Sequence, residues 1–140
     1  MVRKVGTGKP PQDRKPDREP ALRTIALPAD ANPNGDIFGG WIMAQMDLAG
    51  AVPAFQRARG RVVTVAVDGM SFHRPVFVGD LVSCYASITR VGRSSITVDV
   101  ETSVERRRDG RHEKMTEGLF TYVAVDDAGR PRAVLPTTGD

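Results

Sequence analysis

Residues 32–50 read NPNGDIFGGWIMAQMDLAG, and the reading of this run decides the fold. From Trp41 to Phe55 only Gln45 and Asp47 carry polar side chains. The pattern predicts a helix that begins near Gly39 or Gly40, runs to about Arg57 and is apolar nearly all round. Such a helix must be buried nearly all round. Pro53 lacks a backbone donor and is expected to loosen the last turn. One curved sheet covers one side of this helix, and a second copy of the chain is the simplest cover for the other.

Gly40, Ala44, Asp47 and Ala51 share one helical face, at helical three- and four-residue spacings. That face is small and holds the acid. A buried carboxylate is costly unless it is paired or hydrogen-bonded, so Asp47 either pairs within an interface or does chemistry. Asp36 precedes the helix, where a carboxylate suits a cap and the helix dipole; a site role is the alternative. Gly39 and Gly40 let another group approach bare backbone. Free N–H groups at a helix start suit an anion or a developing oxyanion; tight helix–sheet packing would also explain them.

Outside this run the period changes to two. ALRTIALP (21–28) predicts a short first strand ending at a proline, and ADANPNGD is a loop of turn formers. RVVTVAVDGMSFHRP (61–75) predicts a long strand with Gly69 as a bulge or close contact. LVSCYASITRV (81–91) and SITVDVETSVE (95–105) are strands joined by a tight turn at Gly92 and Arg93. The second alternates clearly, with Ile96, Val98, Val100 and Val104 on one face. RRRDGR (106–111) carries a hairpin signal before a last strand over 112–125. Short turns impose antiparallel neighbours, so the expected fold is α+β: one long helix against one antiparallel sheet.

The 140 residues suffice for one domain. A basic tail over 1–20, rich in proline and poor in apolar residues, is expected to be disordered; the domain spans 21–131, and 132–140 is expected to be loose. The tail holds six basic and three acidic residues, which leaves 14 of each in the rest. The excess behind the pI of about 9.4 therefore sits in the tail, which argues against nucleic acid as a partner. The apolar run Ile37–Phe55 is interrupted by Gln45, Asp47 and Pro53, which argues against a membrane span. The tail has no apolar signal-peptide core. A single cysteine, Cys84, allows no internal disulfide and suits a reducing, cytoplasmic setting. With only His73 and His112 beside it, a Cys/His metal site is not expected.

NPNGDIFGGWIMAQMDLAG, with GRVVTVAVDGMSF and VGRSSI downstream, resembles the hotdog-fold acyl-CoA thioesterases, most of all the bacterial YciA-like group. The resemblance runs in unbroken order over about residues 21–131. It implies a hotdog, a long helix wrapped by an antiparallel sheet, that pairs into a homodimer and assembles further as a trimer of dimers. It implies hydrolysis of acyl-CoA to a free acid and CoA, with CoA part of the substrate and no separate cofactor. Asp47 is then the general base or nucleophile, Asp36 a second polar site residue, and Gly39 and Gly40 the donors to the thioester oxygen. Many relatives carry a histidine where this chain has Phe38, so a histidine role there is lost.

Reach supports a shared site. Asp47 lies seven residues beyond Gly40, roughly 10 Å along a helix at about 1.5 Å per residue, whereas base and oxyanion donor must meet around one carbonyl. Two antiparallel helices of a dimer bring Asp47 of one chain to Gly40 of the other. A thiolate is a good leaving group, so one carboxylate and an oxyanion hole suffice; direct attack through an anhydride is the alternative.

VGRSS (91–95) is either an ordinary tight turn or, as the resemblance implies, a contact for CoA phosphates through Arg93, Ser94 and Ser95. Arg74, beside His73, is a further candidate contact. Cys84, inside a strand, reads as a small core residue. No G-x-S-x-G elbow is present. Two other readings use the same fold: a non-catalytic acyl-CoA sensor, for which the short tail offers no output module, and a dehydratase, which needs a histidine that 35–60 lacks.

Overall fold

The computed structural model describes residues 13–137. Its elements in chain order are β1 (Leu22–Ile25), a 3-10 turn (Pro28–Asp30), α1 (Gly39–Ala58), β2 (Val62–Asp68), β3 (Leu81–Val91), β4 (Ser95–Glu105) and β5 (His112–Ala124). The strands form one sheet in the order β1-β3-β4-β5-β2, antiparallel throughout. This is the α+β layout expected from the helix and the four strands after it, and the hotdog architecture that the resemblance implies. Both hairpin turns fall as the sequence places them, at 92–94 and 106–111.

The helix lies across β3 and β4. Ile42, Met46, Ala49, Gly50, Ala54 and Ala58 are its buried face. They meet the inward residues of the sheet, among them Val82, Cys84, Val98, Val100, Met115, Phe120 and Tyr122. The strict alternation in β4 places Ile96, Val98 and Val100 in this core, each fully buried. Opposite the sheet, α1 is uncovered: Gly40, Ala44, Leu48 and Phe55 are exposed and Asp47 half-buried. Leu48 and Phe55 are 57% and 46% exposed, so apolar surface remains open on the face expected to meet a second copy.

Several boundaries depart from expectation. The first strand stops at Ile25, because Pro28 opens a 3-10 turn that the Asp30 carboxylate caps through Leu27 N–H at 3.0 Å. The long strand stops at Asp68, because Gly69 adopts φ +68° and turns the chain; the bulge lies earlier, between Thr64 and Ala66. The helix, by contrast, runs through Pro53 to Ala58, close to the expected end at Arg57, and stops where Arg59 turns left-handed at φ 55°.

The described parts of both tails, 13–20 and 132–137, make contacts that their composition did not suggest. Of the expected disordered tail, residues 1–12 lie outside the described residues. Asp13, however, binds Arg74 at 2.6 Å and accepts the Lys114 N–H at 3.0 Å. The Arg18 guanidinium sits 5.4 Å from the Tyr85 ring centroid, bonds Ser87 and lies 3.8 Å from Glu101. This segment crosses the outer face of the sheet on polar contacts, which a search for apolar residues does not find. At the other end, Val134 N–H donates to Arg93 O at 2.7 Å, Arg57 to Leu135 O at 2.7 Å and Arg132 to Ala58 O at 2.8 Å. Residues 132–135 are therefore tied to the domain rather than loose. Among the described residues, no helix is long and apolar enough to cross a membrane.

Candidate active site

The site builds outward from Asp47. Its carboxylate lies on the open face of α1 and accepts a hydrogen bond from the Thr64 hydroxyl at 2.6 Å. Its main-chain oxygen accepts another from the Tyr122 hydroxyl at 2.7 Å. Thr64 of β2 and Tyr122 of β5 are direct cross-strand partners, so one rung of the sheet reaches both ends of the same residue. Tyr122 comes this close because Gly50 leaves a notch: a Cβ there would overlap the Tyr122 hydroxyl and lie 3.1 Å from Val100 Cγ2. Burial first, and then the Asp47 charge, raise the Tyr122 phenol above its usual range, so it remains a donor.

Asp47 thus has a satisfied carboxylate held by a neutral donor. No ion pair to it forms among the described residues. A carboxylate with a lone pair left open beside an apolar surface can take a proton from a positioned water.

The helix start supplies the complementary group. Phe38 is the N-cap and offers no side-chain bond; a first turn left uncapped has N–H groups free for another acceptor. Trp41 and Ile42 donate to Phe38 O, while among the described residues Gly39 and Gly40 N–H have no bond. Gly40 is exposed, and a Cβ on it would meet nothing within 4 Å. Gly39 faces the Phe72 ring, whose nearest atom would lie 3.4 Å from such a Cβ.

Asp36 is not the cap it could have been. Its backbone pairs with Phe77 in an isolated bridge, and its carboxylate takes no bond among the described residues. The organiser of this loop is Asn32, which the sequence reading passed over. Its side-chain oxygen accepts Asn34 N–H at 2.9 Å and Asp36 N–H at 3.1 Å, and its own N–H donates to Asp36 O at 2.6 Å. The NPNG pattern, an asparagine two residues before another turn former, was the available signal. Thr64 was also missed; its one signal was a hydroxyl amid the valines of β2.

The four expected CoA contacts divide into two places. Arg93, Ser94 and Ser95 form the β3–β4 turn, where Gly92 N–H donates to Ser95 O at 2.7 Å. Arg74 lies 3.5 Å from Glu113, near the other end of the β4–β5 ladder. Ten residues of β4 separate the two ends, roughly 33 Å at about 3.3 Å per residue. Within one chain, Arg74 and the turn therefore do not converge, and Arg74 is already engaged by Asp13. Cys84 is fully buried and 3.4 Å from the Thr102 hydroxyl. Burial pushes its thiol up to about 11, as suits a core residue and not a nucleophile.

A cleft of about 740 Å³ opens elsewhere, lined by Phe77, Asp80, Arg106, Arg107, Arg108 and Arg111 among others. Its floor is a structural ion network. Arg106 binds Asp80 at 2.6 Å and Glu113 through two bonds of 3.1 Å, and donates to Pro75 O at 3.0 Å. Arg106 leads the causes that hold Glu113 below the usual carboxylate range. Among the described residues no three of His, Cys, Asp or Glu gather as a metal would need.

Comparison with known proteins places this geometry in a family. Residues 34–110 match the model of the thioesterase superfamily. The acyl-CoA thioester hydrolase YciA of Salmonella typhimurium is 53% identical over 130 residues, covering 91% of this chain and 97% of its own. The hexameric thioesterase y2039 of Yersinia pestis superposes with a TM-score of 0.83 at 55% identity, over 88% of this chain and 100% of that one. The acyl-CoA hydrolase of Staphylococcus aureus, solved with butyryl-CoA and CoA, superposes with a TM-score of 0.73 at 31% identity, over 81% and 69% of the two chains. Solved variants of that enzyme replace one asparagine, one aspartate and one threonine by alanine, residues 15 and then 17 positions apart. Asn32, Asp47 and Thr64 have the same two spacings. On the family match, the identity and the superposition together, the chain belongs to the thioesterase superfamily, with the hotdog fold.

Proposed function

We propose that this chain hydrolyses acyl-CoA thioesters to a free carboxylic acid and CoA, at a site shared between two subunits. The observation that carries the reading is the Asp47 carboxylate, held by Thr64 at 2.6 Å on a helix face otherwise open and apolar. A carboxylate on an apolar face is costly without a task, and taking a proton from water is such a task. The likeness to YciA and to the two thioesterase structures supports the substrate class.

In this reading the thioester oxygen rests on the free N–H groups at the start of α1 of one subunit. Asp47 of the other subunit takes a proton from water as the water oxygen bonds to the carbonyl carbon. Charge develops on the thioester oxygen, where fixed backbone donors stabilise it. The C–S bond then breaks, CoA leaves as a thiolate, and the carboxylic acid remains. Direct attack by Asp47 to form an anhydride balances equally well; oxygen-18 from water entering Asp47 during a single turnover would identify it.

Asn32 is proposed as a site residue alongside Asp47 and Thr64, on the shared spacing with the Staphylococcus aureus variants. Asp36 keeps a subsidiary role at the site, since it pairs with Phe77 just before the glycine pair. Arg93, Ser94 and Ser95 remain the proposed contacts for CoA phosphates. Arg74 could join them only from a different subunit.

Assembly follows from surfaces. β2 is an edge strand with Val63 and Val65 exposed at 36% and 55%, the kind of edge that invites pairing with another chain. It lies beside the open face of α1. A two-fold contact would pair the β2 edges and cover both helices at once. A trimer of such dimers is the proposed full assembly, in line with the hexameric Yersinia pestis relative.

The test is release of free CoA thiol, followed with a chromogenic thiol reagent, over short, long, branched and aromatic acyl-CoAs. Turnover of at least one class, lost in Asp47→Asn, is expected. Binding of acyl-CoA without thiol release would instead favour a sensor.

A further inference from the structure

We infer that Tyr122 is a positioning residue for the Asp47 carboxylate, acting with its cross-strand partner Thr64 as a two-point clamp. The inference rests on the proposed role of Asp47 and extends it to a buried residue that touches no substrate.

Asp47 is gripped at two separate atoms. The Thr64 hydroxyl holds the carboxylate at 2.6 Å, and the Tyr122 hydroxyl holds the main-chain oxygen at 2.7 Å. Thr64 and Tyr122 face each other across β2 and β5, so their separation is set by the sheet ladder and not by two flexible loops. The Tyr122 ring is fully buried and stacks near Phe120, with centroids 6.5 Å apart. It is a rigid post in the core. A helical carbonyl already has its own acceptor role in the helix ladder, so this hydroxyl is not needed to satisfy it. What the second bond does is fix how far along and around its axis α1 sits against the sheet at residue 47.

Three features exist only in combination. Gly50 gives up helix propensity in mid-helix, and its missing side chain opens the notch that the Tyr122 hydroxyl occupies. The bulge between Thr64 and Ala66 shifts the β2 register just past the rung that carries Thr64. The rung itself presents both hydroxyls toward α1. Without the Tyr122 hydroxyl, only apolar packing, which is non-directional, would set the height and rotation of α1 at residue 47 under the Thr64 bond. A base displaced by a fraction of an ångström loses much of its advantage.

The test is steady-state hydrolysis by Tyr122→Phe, Thr64→Ala and the double variant, at equal concentrations of folded oligomer. Phenylalanine keeps the ring and removes only the hydroxyl, so the core stays filled. The expected result for Tyr122→Phe is a fall in kcat of about tenfold with KM within about twofold, because the residue does not touch substrate. The two substitutions should be non-additive, since both hydroxyls hold one group. A kcat within about twofold of the parent overturns the inference. So does additive loss in the double variant, or a loss confined to thermal stability with turnover per folded molecule unchanged. Asp47→Asn run in parallel separates the two levels: if it too turns over normally, the assignment of Asp47 has failed, whereas an inactive Asp47→Asn with a normal Tyr122→Phe removes only the clamp.

Discussion

At the scale of single residues, the proposed chemistry concentrates in Asp47. Asp47→Asn keeps the size of the side chain and can still accept from Thr64, but it cannot take a proton. A loss in kcat of about 10²–10⁴-fold is expected, with the melting temperature little changed; near-parental turnover by a folded variant would contradict the assignment. The loop before the helix offers a sharper comparison. Asn32→Ala strands two N–H groups that the side-chain oxygen now satisfies, whereas Asp36→Ala removes a carboxylate that takes no bond among the described residues. Asn32→Ala is therefore expected to lower kcat/KM more than Asp36→Ala, and the reverse order would restore Asp36 as the main polar residue of that loop. Asp47 stood out as a candidate in the sequence because an acid in an apolar helix contrasts with its neighbours. Asn32 and Thr64 did not stand out. Asn32 read as one turn former among several, although its bonds to Asn34 and Asp36 are local, and the Thr64 contact with Asp47 spans 17 residues of chain, which leaves no mark on a local pattern.

At the scale of elements, the helix and strands β3 and β4 were legible nearly to the residue, because each buries one regular face and ends at a turn. β1 and β2 were overextended. β1 was carried up to Pro28 but ends at Ile25, ahead of the 3-10 turn, and β2 was carried past Gly69, where a positive φ turns the chain. Gly50 belongs at this scale too. Its Ala substitution favours helix by local propensity yet drives a methyl into the Tyr122 hydroxyl, so a net destabilisation of about 1–3 kcal/mol is expected, read as a lower urea midpoint. The ion network under the β4–β5 hairpin gives a pH dependence. Arg106 holds Glu113 below its ordinary range, so the folded state favours the ionised form. That contribution is present above the unfolded glutamate value of about 4.3 and is lost as pH falls through the lowered folded value. Glu113→Gln should lower stability at neutral pH and flatten its decline below about pH 4.3; an unchanged acid profile would show that the pair is energetically silent.

At the scale of the whole molecule, the segment that crosses the outer face of the sheet changes what truncation should do. Removing residues 1–18 deletes Asp13 and Arg18 and uncovers Tyr85, which is fully buried. A melting temperature lower by a few degrees is expected, on the order of 1 kcal/mol for partly exposed pairs, with turnover per folded molecule unchanged. An unchanged melting temperature would mean that these contacts contribute nothing. The polar nature of the segment hid it from a reading based on apolar pattern. The expectation of a partner subunit, by contrast, came from a helix too apolar for one sheet, and the uncovered Leu48 and Phe55 are in keeping with it.

The central claim is that each site joins Asp47 of one chain to the helix start of another, and subunit mixing tests it most directly. Gly40→Val suits this purpose because a side chain there meets nothing within 4 Å in its own chain, so it interferes only with what approaches from outside. Asp47→Asn and Gly40→Val chains, each inactive alone, are refolded together after light scattering and a tagged pull-down establish that both fold and exchange. A mixed dimer then has one site with both defects and one with neither. Thiol release that reappears on mixing, toward about a quarter of the parental rate for random dimers with one intact site in each mixed pair, is the expected result. Proven mixed dimers that remain inactive would contradict the shared site.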